Sequence, residues 1–176
     1  MLFLAACTLF AVSACGTDSE GTPENKPKSK PSPTVSVDPQ AAEKKQVLKV
    51  YRSMWETKNR SFAKAELDPD VKKYASGKAL GDIKVTTLYY EGRGHVMKGE
   101  PILHPEVTAI DTKSKPAKAT VEDCVDSSHY DEVDKKTGKK VDFGDGPRRH
   151  PNSTTLRMIG DKWFVWETSI DRERSC

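Results

Sequence analysis

The sequence predicts an α+β domain in which N-terminal helices pack on one face of an antiparallel sheet. Three observations carry this. Helical apolar spacing dominates before Gly94, β-rich segments separated by Gly, Pro, Asp, Lys and Ser dominate after it, and no internal repeat intervenes. The stretch from Ala41 to Cys176, about 136 residues, is long enough for one core and too short for two.

The first helix follows from "VDPQAAEKKQVLKVYRSMWETKN". Asp38 is placed to cap it and Pro39 to occupy its first position. Val47, Leu48, Tyr51, Met54 and Trp55 then recur three and four residues apart and form one apolar face. A second start appears in "LDPDVKKYASG", with Asp68 as cap, Pro69 inside and Gly77 as the expected stop. The next stretch is ambiguous: Leu80, Ile83 and Leu88 suit a helix, whereas "KVTTLYY" has strand composition. Strands are expected in "HVMKGEPIL", "PEVTAIDT", "AKATVEDCVD", "NSTTLRMIG" and "KWFVWETSI". Gly160-Asp161 suits a two-residue hairpin turn between the last two. Alternation on the final strand puts Phe164, Trp166, Thr168 and Ile170 on one face, with Trp163, Val165 and Glu167 on the other. Between Cys124 and Asn152 lies a polar excursion, in which Thr137-Gly138 is expected to turn a small hairpin at the sheet edge.

Residues 1–14 read as a signal peptide. From Leu2 to Ala14 the chain is apolar or small for 13 residues, too few for the roughly twenty of a spanning helix but suited to a secretory signal. "VSAC" resembles the lipobox of bacterial lipoproteins, in which the cysteine sulfur takes a diacylglycerol; the anchor is then Cys15, with palmitate-type acyl chains holding the chain to the membrane. "LAAC" at Cys7 is a weaker match, because cutting there leaves apolar residues on the mature chain. The basic start usual in such signals is missing before Leu2, so the natural start is expected further upstream. Residues 15–40 comprise the lipidated cysteine and a Pro/Ser/Lys-rich tether, disordered by composition and reaching roughly 25–30 Å when coiled. Residues 41–176 form the single folded domain.

The net charge of +3 is slight, and acidic and basic residues are interspersed. Nucleic-acid binding therefore has no support. With Cys7 in the signal and Cys15 on the lipid, two thiols remain on the exported side, Cys124 and Cys176, and a disulfide between them is expected. A shared metal is the alternative use of two thiols, but neither cysteine sits in a CxxC or near a histidine at ligand spacing.

The order helix, helix, "SGKALGDI", "VMKGEPILHPEVTAID", "KATVEDCVDSSHY" and "GDKWFVWETSIDRERSC" resembles secreted actinobacterial lipoproteins with a nuclear transport factor 2-like (cystatin-like) domain. The resemblance covers Ala41 to Cys176 and rests most on the "DCVD" strand and the Trp strand with its terminal cysteine. It implies that Leu80–Glu91 is helical, that Cys124 and Cys176 pair, and that the sheet curls around the helices into a cone. Such a cone holds a small ligand or pairs face to face with another copy. The family brings no activity with it.

Few residues suggest chemistry. "DFGDG" resembles a kinase magnesium motif but has no accompanying loop or lysine, and "DEVDKKTG" lacks the terminal Glu of a calcium loop. His95, His104, His129 and His150 are scattered, and no nucleophile elbow is present. Nothing predicts a metal or a cofactor. The one candidate catalytic group is Asp123, which alternation sends to the face opposite Cys124 while Asp126 shares the cysteine's face. Facing a cone, Asp123 could serve as a general base, with His129 and Tyr130 beside it; a structural hydrogen bond is the commoner role. Tyr89, Tyr90, Trp163 and Trp166 are candidate pocket-lining aromatics, though in a small domain such residues are more often core.

The expected function is a non-enzymatic, lipid-anchored domain on the outer face of the cell membrane, binding a small ligand or an envelope protein. Two alternatives stand beside it: an isomerase- or dehydratase-like enzyme using an acid in the cone, and an accessory module of cell-wall or secretion machinery.

Overall fold

A computed structural model describes residues 40–176, and the expectations for the signal, Cys15, Asp38 and Pro39 lie outside them. The chain is α+β, with two helices against antiparallel sheets. Helix α1 spans Ala41–Lys64, a 3-10 turn spans Pro69–Lys73, and α2 spans Gly77–Arg93. Strands follow as β1 (His95–Gly99), β2 (Glu106–Asp111), β3 (Lys118–Asp126), β4 (Tyr130–Asp134), β5 (Arg149–Ile159) and β6 (Lys162–Ile170). Among the described residues no helix is long and apolar enough to cross a membrane.

Four strands form a sheet in the order β2-β3-β5-β6, and β1 pairs with β4 in a separate two-stranded sheet. The two sheets meet where Ile102 and Asp126 exchange backbone hydrogen bonds of 2.9 and 3.0 Å. The helices cover the face of the larger sheet that carries Val107, Val121, Leu156 and Val165, and Val47, Tyr51, Met54 and Trp55 of α1 complete the core beneath it. The apolar spacing read from the sequence is therefore the buried face of α1, although Leu48 is only partly covered.

Three local expectations are corrected. Asp68 does cap the 3-10 turn, accepting the Asp70 amide at 2.9 Å, but that turn ends before Gly77, and Gly77 opens α2 instead of stopping a helix. It does so because the backbone there is left-handed (φ 53°) and the Trp166 ring lies against its Cα, a combination only glycine accepts. The ambiguous Leu80–Glu91 stretch is helical.

The second correction concerns β6. Gly160-Asp161 makes the expected tight turn, with Ile159 opposite Lys162. Further along, however, Leu156 pairs with Val165 and Thr155 with Glu167, so Trp166 is an extra residue in a bulge. The bulge reverses the alternation, bringing Thr168 and Ile170 to the inner face with Trp163 and Val165, while Glu167 and Ser169 are exposed.

The third is β4, hidden within the polar excursion. Its Thr137-Gly138 return is present, with Val133 bridged to Lys140, but it hangs on the small sheet with β1 and not on the edge of the large one.

Cys124 and Cys176 form a disulfide, with Cα atoms 5.9 Å apart. It lies on the sheet face away from the helices, because Cys124 alternates with the buried Val121, Asp123 and Val125. Together with the Cys176 amide on the Arg149 carbonyl and the Asp171 amide on the Pro151 carbonyl, it ties the C-terminal segment to β5.

Candidate functional site

Helix α1 continues its inward stripe past Trp55. The next buried positions are Thr57, Ser61 and Phe62, and beside them the half-buried Lys58 faces the cavity, one turn from the apolar Met54 and Phe62. Opposite it, α2 presents Ala79, Ile83 and Tyr90, β1 presents Met97, and β4 presents Tyr130 and Glu132. Val125 and the end of β6 close the far wall, and Arg172 stands just beyond. These residues enclose a cavity of ≈ 830 Å³, within the range of small-molecule sites.

The cavity is apolar in its body and charged in a few places. The Lys58 ammonium sits 3.3 Å from the centre of the Trp55 ring and 5.8 Å from that of Phe62, where the ring faces attract a cation. Burial, and then the positive charge of Arg172, hold its pKa down to about 7. Most other charged groups around the cavity have partners. Asp82 accepts from Lys78 at 2.9 Å, and Glu132 is held by His95 Nδ1 at 2.6 Å. Arg148 donates to the carbonyls of Ser127 (2.6 Å) and Tyr130 (2.8 Å) and meets Asp131 at 3.2 Å. The His150 ring bonds the Arg174 and Pro147 carbonyls. Among the described residues no carboxylate pairs with Lys58 or Arg172.

Two phenols share the wall. Burial, then the Glu132 charge, push the Tyr90 hydroxyl up to about 12. Burial raises Tyr130 further above its ordinary value, and its hydroxyl has no hydrogen-bond partner among the described residues.

The sequence-expected residues divide clearly. Tyr90 and Tyr130 line the cavity. Trp163 does not: it is core, 3% exposed, and its indole N–H donates to Glu43 at 2.9 Å. Trp166 packs on Gly77 and under the Arg157 guanidinium, 4.4 Å from its ring centre. Tyr89 is exposed on the outside of α2, with Arg93 5.0 Å from its ring centre, and His129 is exposed. The bulge accounts for Trp166 and the helix phase for Tyr89, whereas Trp163 is taken up by the core and His129 sits in the exposed turn between β3 and β4.

Asp123 is buried, but away from the cavity. One carboxylate oxygen accepts the Tyr51 hydroxyl at 2.7 Å and the other the His104 amide at 2.6 Å. Asn152 Nδ2 donates to Tyr51 Oη and to Thr154 Oγ1, both at 3.1 Å, and Thr168 returns a bond to Asn152 Oδ1 at 2.8 Å. Burial, then the Asp123 charge, hold the Tyr51 phenol far above its ordinary value, so it stays a donor. This closed network fits a structural role for Asp123. The acids that do face the cavity are Asp82 and the buried Glu132; the sequence reading missed Glu132 along with Lys58 and Arg172. Each left a signal: "YDEVD" has strand alternation, and Lys58 stands one turn from the apolar Met54 and Phe62.

A second recess, ≈ 580 Å³, lies between the ends of α1 and α2. Its rim mixes Lys64, Glu66, Lys84 and Glu91, charges of both signs, and Tyr90 is its only aromatic.

The described residues contain no cluster of His, Cys, Asp and Glu able to hold a metal ion. No protein-family model matches the chain, and no curated protein does. Among solved structures it is similar to the intermembrane space region of the chloroplast protein ARC6, at 13% identity over 72% of this chain and 95% of that one, with a TM-score of 0.47. A likeness of that size carries no argument about function.

Proposed function

We propose that this chain is a ligand-binding domain of the cell envelope, of the nuclear transport factor 2-like type, held at the outer face of the membrane by a lipid on Cys15. The observation that carries the binding reading is the ≈ 830 Å³ cavity, whose walls keep two cations without carboxylate partners among the described residues. The disulfide supports an oxidising compartment, and the lipobox-like "VSAC" supplies the anchor.

Two measurements test this. Palmitate labelling in an exporting bacterial host should be lost in Cys15→Ser; labelling that survives would remove the anchor from that position. A thermal-shift screen of the full chain against envelope metabolites should give stabilising ligands, and Ile170→Trp, which fills the cavity wall, should abolish the shifts. Absence of any stabilising ligand would sink the binding reading.

One observation favours the enzyme reading as a second choice. Glu132 faces the cavity with His95 at 2.6 Å behind it, a carboxylate–imidazole pair suited to moving a proton. Under that reading, turnover falls in Glu132→Gln while binding of the ligand is kept.

A further inference from the structure

We propose that the cavity takes an amphipathic anion, with its apolar body among Met54, Trp55, Phe62 and Ile83 and its single negative head between Lys58 and Arg172. This rests on the binding reading above and names the class of ligand.

The argument is a charge balance inside one cavity. Of the acids that face it, Asp82 pairs with the Lys78 ammonium at 2.9 Å and Glu132 is hydrogen-bonded to the His95 ring at 2.6 Å. Arg148 is spent on two carbonyls and Asp131. The charged lining groups without a charged or hydrogen-bonded partner among the described residues are cations: Lys58, partly buried, and Arg172 at the mouth, near enough that its charge opposes protonation of the lysine. A half-buried ammonium with a second cation near it is disfavoured unless something negative joins them. Cation–π contact with Trp55 offsets part of the cost, and no protein group among the described residues accepts from the ammonium.

The ligand's shape follows from the walls. Met54, Trp55, Phe62, Ile83, Met97 and Val125 give the lining a continuous apolar part, and the polar side chains Asp82, Glu132, Arg148 and His150 on the other walls are already hydrogen-bonded. A small inorganic anion would leave that surface wet, and a neutral hydrocarbon would leave the charges unpaired. A molecule with an apolar tail and one carboxylate or phosphate head satisfies both. It also lowers the cost of protonating Lys58, so binding and proton uptake are coupled.

The test compares tails of one length with different heads. Full-length chain in detergent-free buffer is titrated with dodecanoate, dodecyl phosphate, dodecanol and dodecyltrimethylammonium, and followed by calorimetry. Dodecanoate or dodecyl phosphate should bind at least about tenfold more tightly than dodecanol, and the cationic amphiphile should bind most weakly. Lys58→Met and Arg172→Gln should each erase about tenfold of that preference and leave dodecanol unchanged, while Lys58→Arg restores most of it. Arg172 is exposed and serves where Lys58→Met alters packing. Equal binding of all four heads, or a preference that survives both substitutions, overturns the anion while leaving a binding cavity; no binding by any of them overturns the binding reading as well.

Discussion

The Tyr51 hydroxyl donates to Asp123 at 2.7 Å across 72 residues of sequence, and Asn152 donates to the same phenol oxygen at 3.1 Å. Tyr51 and Asn152 are fully buried, so the pair stitches α1 to β3 and β5 at the centre of the core. A carboxylate this well supplied with donors is committed to holding helix on sheet.

Tyr51→Phe should therefore destabilise the domain. It strands one Asp123 oxygen and one Asn152 donor in the core, at a cost of about 1–3 kcal/mol. Asp123→Asn should cost a similar amount, because an amide cannot accept on both sides as the carboxylate does. Chemical denaturation measures both, and a double variant should lose less than the sum of the two. Strict additivity would show that the hydrogen bond contributes nothing.

Reduction of the disulfide, or Cys176→Ser, should lower stability by roughly 2–4 kcal/mol on the chain-entropy account for a loop of this size. The bond also fixes the segment that carries Arg172, only four residues from Cys176. Dodecanoate affinity should fall in the same variant, while dodecanol affinity holds. Unchanged melting with and without reductant would refute the stability effect.

Lys58 gives stability a pH dependence. Its pKa in the folded chain is about 7, below the ordinary 10.5. Between those values the unfolded chain binds a proton that the folded chain does not, so this contribution to stability rises with pH from about 7 upward. Glu132 is paired with His95 and Asp82 with Lys78, leaving Arg172 as the charge that opposes protonation. From pH 7 to 9 the wild type should therefore gain on Lys58→Met. The gain is less than the ~1.4 kcal/mol per pH unit of a fully shielded group, because the side chain is only partly buried. Below pH 7 Lys58→Met should be the more stable protein. Parallel curves would mean that the amine keeps an ordinary pKa.

Gly77→Ala should cost about 1–3 kcal/mol, since a Cβ there would stand 2.7 Å from the Trp166 ring and the backbone is left-handed. Trp166→Val in the same chain should recover the steric part and leave the conformational part. Thermal melts of the two single variants and the double variant separate them; an innocuous Gly77→Ala would show that the ring yields freely.

Local chemistry made much of this protein legible in its sequence. The stripe from Val47 to Trp55 identified the buried face of α1, because helix period and burial are the same fact read twice. Gly160-Asp161 identified the last hairpin, since few residue pairs make that turn. Two thiols within residues 41–176 left one pairing. Whatever required a count along a strand was less secure. A single bulge residue, Trp166, shifted every later side chain of β6 to the opposite face, and no local pattern announces an extra residue whose only cause is the partner strand's register.

The site depended still more on assembly. Lys58 is a charged residue one turn from the apolar Met54 and Phe62, yet its meaning comes from Trp55 beneath it, Arg172 from the other end of the chain, and the absence of a carboxylate partner among the described residues. Asp123, the acid most prominent in the sequence, was claimed by Tyr51 from α1. The sequence by itself determined the buried face of the first helix and the last hairpin, because each follows from neighbours along the chain, and the pairing of Cys124 with Cys176 followed from the number of thiols in residues 41–176. Only the tertiary structure decided which charges remain unpaired and where the cavity lies, because electrostatic balance depends on distances between residues that the sequence keeps far apart.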